Sequence, residues 1–176
     1  MRITKPNRAT HTYTQQLCAP PARVFPLLCP VRETEWADGW LPELAISCSG
    51  IAERDCVFIT PEKPGKAIWY TTRHEPENWF VEMLTIVPGV TACRLEIRLT
   101  PNADGCFADV TYSHTSLGAA GDEFVAGFTA DSYQKFMRIW EKELNHFLNT
   151  GSMLRRDNTP KTTGPSQLTK AGVKKF

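Results

Sequence analysis

The sequence predicts one α+β domain, an antiparallel sheet followed by a long C-terminal helix. Three observations predict it. From residue 43 apolar and polar residues alternate in run after run, the two-residue period of strands with one buried face. Only short turn-forming stretches separate the runs (Ser49-Gly50, Pro61 to Gly65, Pro76, Pro88-Gly89, Asn102 to Gly105). Parallel crossovers need a dozen or more residues, so these runs imply antiparallel hairpins. From residue 120 the apolar period lengthens to that of a helix.

The elements follow in order. Residues 10–18, rich in threonine, form the first strand, which Pro20-Pro21 ends. A short helix opens on Pro21, a position where the missing N–H costs nothing, and Pro26 and Pro30 keep it short. A second short helical piece runs from Val31 to Trp36 and stops before the Asp38-Gly39 turn. Six strands are predicted at 44–49, 55–60, 66–74, 78–87, 91–100 and 106–117. In the run 91–100, Cys93, Leu95, Ile97 and Leu99 share one face; Arg94, Glu96, Arg98 and Thr100 share the other. In the last helix Tyr133, Phe136, Trp140, Leu144 and Phe147 make the apolar stripe, with Lys135, Arg138, Glu141, Lys142 and Glu143 between them. Asp131 with Gln134 suits a capping box and sets a break near Thr129; Asn149-Thr150-Gly151 is the stop signal. Residues 152–176 lack any period and read as a disordered basic tail, leaving 8–151 as the domain. Removing the tail is expected to leave stability nearly unchanged.

Composition excludes several classes. At 176 residues, 41% hydrophobic and 22% charged, the chain can bury a full core without staples. The net charge of +1 gives no global field that selects nucleic acid or anionic lipid, although the tail carries +5 and the body −4. Met1 to Arg8 has no apolar run after its charges, and no stretch approaches the ~20 apolar residues of a membrane span. A cytoplasmic protein is the expectation. Its six cysteines are scattered without a C-x-x-C pair, which favours reduced thiols. The four histidines show no metal-ligand spacing, and neither a G-x-S-x-G elbow nor a glycine-rich phosphate loop is present. No metal or cofactor is expected.

The order of strand, two short helices, six antiparallel strands and one long helix resembles the helix-grip fold of the SRPBCC superfamily, which includes START domains, Bet v 1 allergens and polyketide cyclases. Local echoes lie in Ala19-Pro20-Pro21-Ala22-Arg23-Val24-Phe25, in Cys29-Pro30-Val31-Arg32-Glu33 with Trp36, Gly39 and Trp40, and in Trp140 to Leu148. They resemble uncharacterised bacterial members. The resemblance implies a seven-stranded sheet around the last helix, with an apolar cavity between them.

Strand parity then sorts side chains. Ala108, Val110, Tyr112, His114 and Ser116 should face the cavity, and so should His11, Tyr13, Gln15 and Leu17. The family pairs its first strand with its last, so His11, Tyr13, Tyr112 and His114 are expected to converge. Trp140 is a core or cavity wall, while Trp36 and Trp40 either cover the cavity mouth or pack the short helices. Glu82 is expected to face outward, because Trp79, Val81 and Met83 make an apolar inner face. Three functions follow from this reading. The first is binding of a small hydrophobic or amphipathic ligand, lipid- or polyketide-like, at His11, Tyr13, Tyr112, His114, Trp36, Trp40 and Trp140. The second is a polyketide-cyclase-like reaction in which Tyr112, His114 and His11 place and deprotonate an enolisable substrate. The third is docking of a protein partner through the outer sheet or tail, which an exposed apolar patch would favour. The sequence leaves the oligomeric state open.

Overall fold

Strands with one apolar face must bury it, and here one helix covers what seven strands expose. The computed structural model describes Met1, residues 3–62 and residues 65–156. Among these, β1 (Arg8–Leu17), β2 (Leu44–Ile46), β3 (Val57–Glu62), β4 (Gly65–Glu75), β5 (Phe80–Val87), β6 (Thr91–Asn102) and β7 (Gly105–Ser116) form one antiparallel sheet in the order β1-β7-β6-β5-β4-β3-β2. Between β1 and β2 lie α1 (Pro21–Val24) and two 3₁₀ turns, Phe25–Leu28 and Arg32–Glu35. After β7 come α2 (Ala119–Gly127) and α3 (Ala130–Thr150). No helix among the described residues is long and apolar enough to cross a membrane.

The expected parity holds across the centre of the sheet. Cys93, Leu95, Ile97 and Leu99 are buried on β6, as are Cys106, Ala108, Val110, Tyr112 and His114 on β7. Glu82 accepts a bond from the Thr72 hydroxyl at 2.6 Å. Strand ends moved where local chemistry intervened. β2 stops at Ile46 because Ser47 and Ser49 side chains bond the backbone of the following turn. β3 starts at Val57 because Asp55 sits at φ +66°, a left-handed turn conformation. The β6–β7 turn needs Gly105: at φ +152°, an added Cβ would lie 2.1 Å from the Leu17 carbonyl oxygen.

β1 is an edge strand, and α3 closes that edge. Gln16 N–H donates to Glu141 Oε1 (2.8 Å), Cys18 N–H donates to Asn145 Oδ1 (2.9 Å), and Asn145 Nδ2 donates back to Gln16 O (2.8 Å). Backbone groups that would otherwise invite another strand are thereby satisfied.

Three details of the last helix differ from expectation. Its capping box is Thr129 with Ser132, two residues before the Asp131–Gln134 pair, because Thr129 is the residue that leaves helical geometry (φ −88°, ψ 160°). Its fully buried stripe is Tyr133, Met137, Leu144 and Leu148, while Phe136, Trp140 and Phe147 are half-buried along one flank. Glu143, expected on the wet face, is 1% exposed. Its partner is Arg156, whose guanidinium donates to Glu143 Oε1 at 2.5 Å and to Asp38 O at 2.6 Å. Arg155 adds a bond to Asp38 Oδ1 at 2.9 Å. The segment assigned to the tail therefore begins by docking on the body, because an ionised carboxylate at Glu143 needs a cation that the helix itself does not supply. The remainder of that tail, residues 157–176, lies outside the described residues.

Candidate functional site

A pocket lies between the concave face of the sheet, one flank of α3 and the segment after α1. Four sources build it. The strands contribute Phe58, Trp69, Met83, Leu95 and Tyr112; α3 contributes Phe136 and Trp140. The turn segment gives Pro30, Glu33, Ala37, Asp38 and Trp40, and the C-terminal segment gives Arg156. Aromatic rings support one another there. Phe58 stacks on Trp69 at 5.2 Å, and Trp40 meets both edge-on at 6.2 and 6.4 Å. Trp140 packs against Trp36 at 5.1 Å.

Two polar groups project among these rings. Glu33 is 6% exposed, and its carboxyl has no hydrogen-bond or ion-pair partner among the described residues. Burial alone pushes its pKa up to about 8. Such a group holds its proton at neutral pH and can release it there. Tyr112 is 4% exposed; burial raises its phenol well above the ordinary value, with smaller effects from Tyr133, Cys93 and Glu33. At the mouth, Arg156 is committed to Glu143 and Asp38.

The residues expected to converge do so only in part. Tyr112, Trp40 and Trp140 line the pocket. Trp36 lies beneath it, 0% exposed, with its indole N–H donating to Leu27 O at 2.9 Å. His114 is buried beside Tyr112 on β7, outside the pocket lining, with Phe128 at 4.6 Å, Phe124 at 4.8 Å and Tyr112 at 5.8 Å. Both of its ring nitrogens lack hydrogen-bond partners among the described residues, and burial lowers its pKa to about 4. His11 bonds Phe128 O through Nε2 at 2.9 Å, and the Tyr13 hydroxyl donates to Glu141 Oε2 at 2.9 Å. The reason for the split is the α2–α3 junction, whose Phe124, Phe128 and Tyr133 fill the space over the β1–β7 pair. The acid–base roles expected of His11 and His114 thus fall on side chains set apart from the pocket lining.

No protein-family model matches the chain, and no curated protein does. Solved structures do. The chain is similar to norcoclaurine synthase from Thalictrum flavum at 11% identity, covering 82% of this chain and 88% of that one, with a TM-score of 0.60. It is similar to Ara h 8.0201 at 12% identity, covering 82% and 99%, with a TM-score of 0.57. It also matches DynU16, a protein of the dynemicin biosynthetic locus, at 15% identity and a TM-score of 0.54 over 83% of this chain; the match spans about half of DynU16, 48%.

The chain has the helix-grip fold. Within a helix grip, sheet parity pointed correctly to Met83, Leu95 and Tyr112. Glu33 and Arg156 escaped notice because Arg32-Glu33-Thr34-Glu35 and Arg155-Arg156 look like solvated charge runs. The available hint was the turn period. Arg32 and Glu35, three apart, pair outside at 2.9 Å, which turns Glu33 inward.

Proposed function

We propose that this chain binds a small, mainly apolar molecule bearing one polar end, held in the helix-grip pocket. One observation carries the reading. The aromatic lining encloses two buried polar groups, the Glu33 carboxyl and the Tyr112 hydroxyl, that no described protein group satisfies. A ligand whose polar end pairs with them avoids the cost of about 1–3 kcal/mol for covering a polar group and leaving it unpaired. Pockets for small molecules are built this way, apolar with a few placed polar atoms.

The test is a titration with N-phenyl-1-naphthylamine, an uncharged apolar fluorophore. Saturable binding with energy transfer from tryptophan is expected, because Trp40, Trp69 and Trp140 line the site. Ala37, 4% exposed on the same wall, provides the control. Ala37→Phe should fill the pocket and abolish the signal while circular dichroism stays unchanged. Binding that survives Ala37→Phe would place the probe elsewhere and end this reading.

A second reading, docking through the outer sheet, is favoured by a patch on the convex face. Two cross-strand rows, Leu44-Ile59-Ile68-Ile86 and Ile46-Val57-Tyr70-Leu84, are apolar throughout, and six of the eight side chains are 38–57% exposed. A second copy stacking on this face is the occupant to test. Sedimentation should show a dimer that Leu84→Lys dissociates; a wild-type monomer at high concentration rules that occupant out.

A further inference from the structure

The charge around the pocket is unbalanced. Glu33 and Asp38 line it, and Glu143 lies directly behind Arg156. Arg156, the cationic side chain among the described lining residues, is already neutralised by its bonds to Glu143 and to Asp38 O. Glu33 remains, more than nine-tenths buried, with no partner among the described residues and with the rings of Trp40, Trp69, Tyr112, Phe136 and Trp140 lining the same pocket. Aromatic faces attract cations through the negative side of their quadrupole, most strongly where water is excluded. An anionic ligand would meet two carboxyl groups and no free cation. A ligand that is positive at one end gains both the rings and the carboxylate.

We propose that the pocket takes an organic ammonium cation, its charge seated against the Glu33 carboxylate and its hydrocarbon part against the aromatic walls. The proposal rests on the pocket-binding reading above and adds the ligand's chemical class. It also fixes a proton balance. Glu33 in the empty pocket keeps its proton up to about pH 8, so a bound cation must displace that proton to solvent. The other groups facing it do not share this change. Tyr112 is held neutral by burial, Arg156 and Asp38 are tied to one another, Glu143 is paired, and Arg32 and Glu35 pair on the outside.

The experiment uses the full chain and benzyltrimethylammonium, whose charge does not depend on pH, followed by tryptophan quenching and calorimetry. Affinity should climb about tenfold per pH unit from pH 6 to 8 and then level off, because only the ionised carboxyl binds. At pH 7 calorimetry in buffers of different ionisation heat should show close to one proton released per cation bound. Glu33→Gln should flatten the pH profile and weaken cation binding at least about tenfold above pH 8. Cation binding without a pH slope, or unaltered in Glu33→Gln, would overturn the proposal. A wild-type chain that binds the naphthylamine but not the cation would also overturn it and leave the pocket-binding reading standing. Failure of both probes would remove both.

Discussion

Glu33 and His114 are buried titratable side chains whose pKa values move toward the neutral form from opposite directions. For Glu33 the folded pKa of about 8 lies above its unfolded value near 4.5, so the folded state holds the extra proton between those limits. Stability from this group is full below about pH 4.5 and falls as pH rises toward 8. For His114 the folded value of about 4 lies below 6.5, so the unfolded state binds the extra proton. Its contribution is full above about pH 6.5 and falls as pH drops toward 4. The two slopes oppose each other between about pH 4.5 and 6.5, and the wild type should be nearly flat there in urea titrations. Each single replacement unmasks the other group. Glu33→Gln should be more stable than wild type by on the order of 3 kcal/mol at pH 7 and little changed at pH 4.5. His114→Phe should gain stability at pH 4.5 and none at pH 8. Parallel pH profiles for wild type and Glu33→Gln would show that Glu33 is solvated after all. Strand parity put His114 on the inner face, but its alternation could not tell a pocket wall from a packed core. Phe124 and Phe128, from another part of the chain, made that choice.

At the scale of elements, the sheet was legible because successive runs tend to a two-residue period, most cleanly at 91–100, and glycine or proline punctuates them. Their ends were not, since Ser47, Ser49 and Asp55 impose side-chain turns and a left-handed residue that hydropathy does not register. The break before α3 was placed by its capping chemistry, and the residues that carry it differ from those expected. Thr129→Ala should cost about 1 kcal/mol in chemical denaturation, because Ser132 N–H loses its acceptor, the Thr129 hydroxyl, while Ser132 Oγ keeps the Thr129 N–H. Asp131→Ala, which leaves the Thr129–Ser132 box intact, should cost clearly less. The reverse order would return the cap to Asp131.

For the whole molecule, Arg156 is the strap that joins the C-terminal segment to α3 and to the turn carrying Asp38. Removing one member of a buried ion pair leaves an uncompensated charge, at a cost of about 3–5 kcal/mol. Arg156→Ala should therefore lower the urea midpoint markedly, and ending the chain at Gly151 should do the same. The double replacement Glu143→Leu with Arg156→Met, which removes the charge and its partner together, should recover most of the loss. A chain ending at Gly151 with unchanged stability would mean that Glu143 is neutral or solvated, and would restore the expectation that the whole segment is dispensable.

What the sequence determined by itself was everything that depends on local periodicity: the strand and helix order and the face each strand buries. These follow from neighbours along the chain, where a side chain's direction is set by the backbone repeat. Tertiary structure alone decided which inward residues line open space and which are packed. It brought Glu33, from a charged turn, and Arg156, from a polar tail, beside rings on β3, β4, β7 and α3. A charge run records that its residues are polar and nothing of what will cover them. Burial, and with it the raised pKa of Glu33, arises only when distant segments close over that turn.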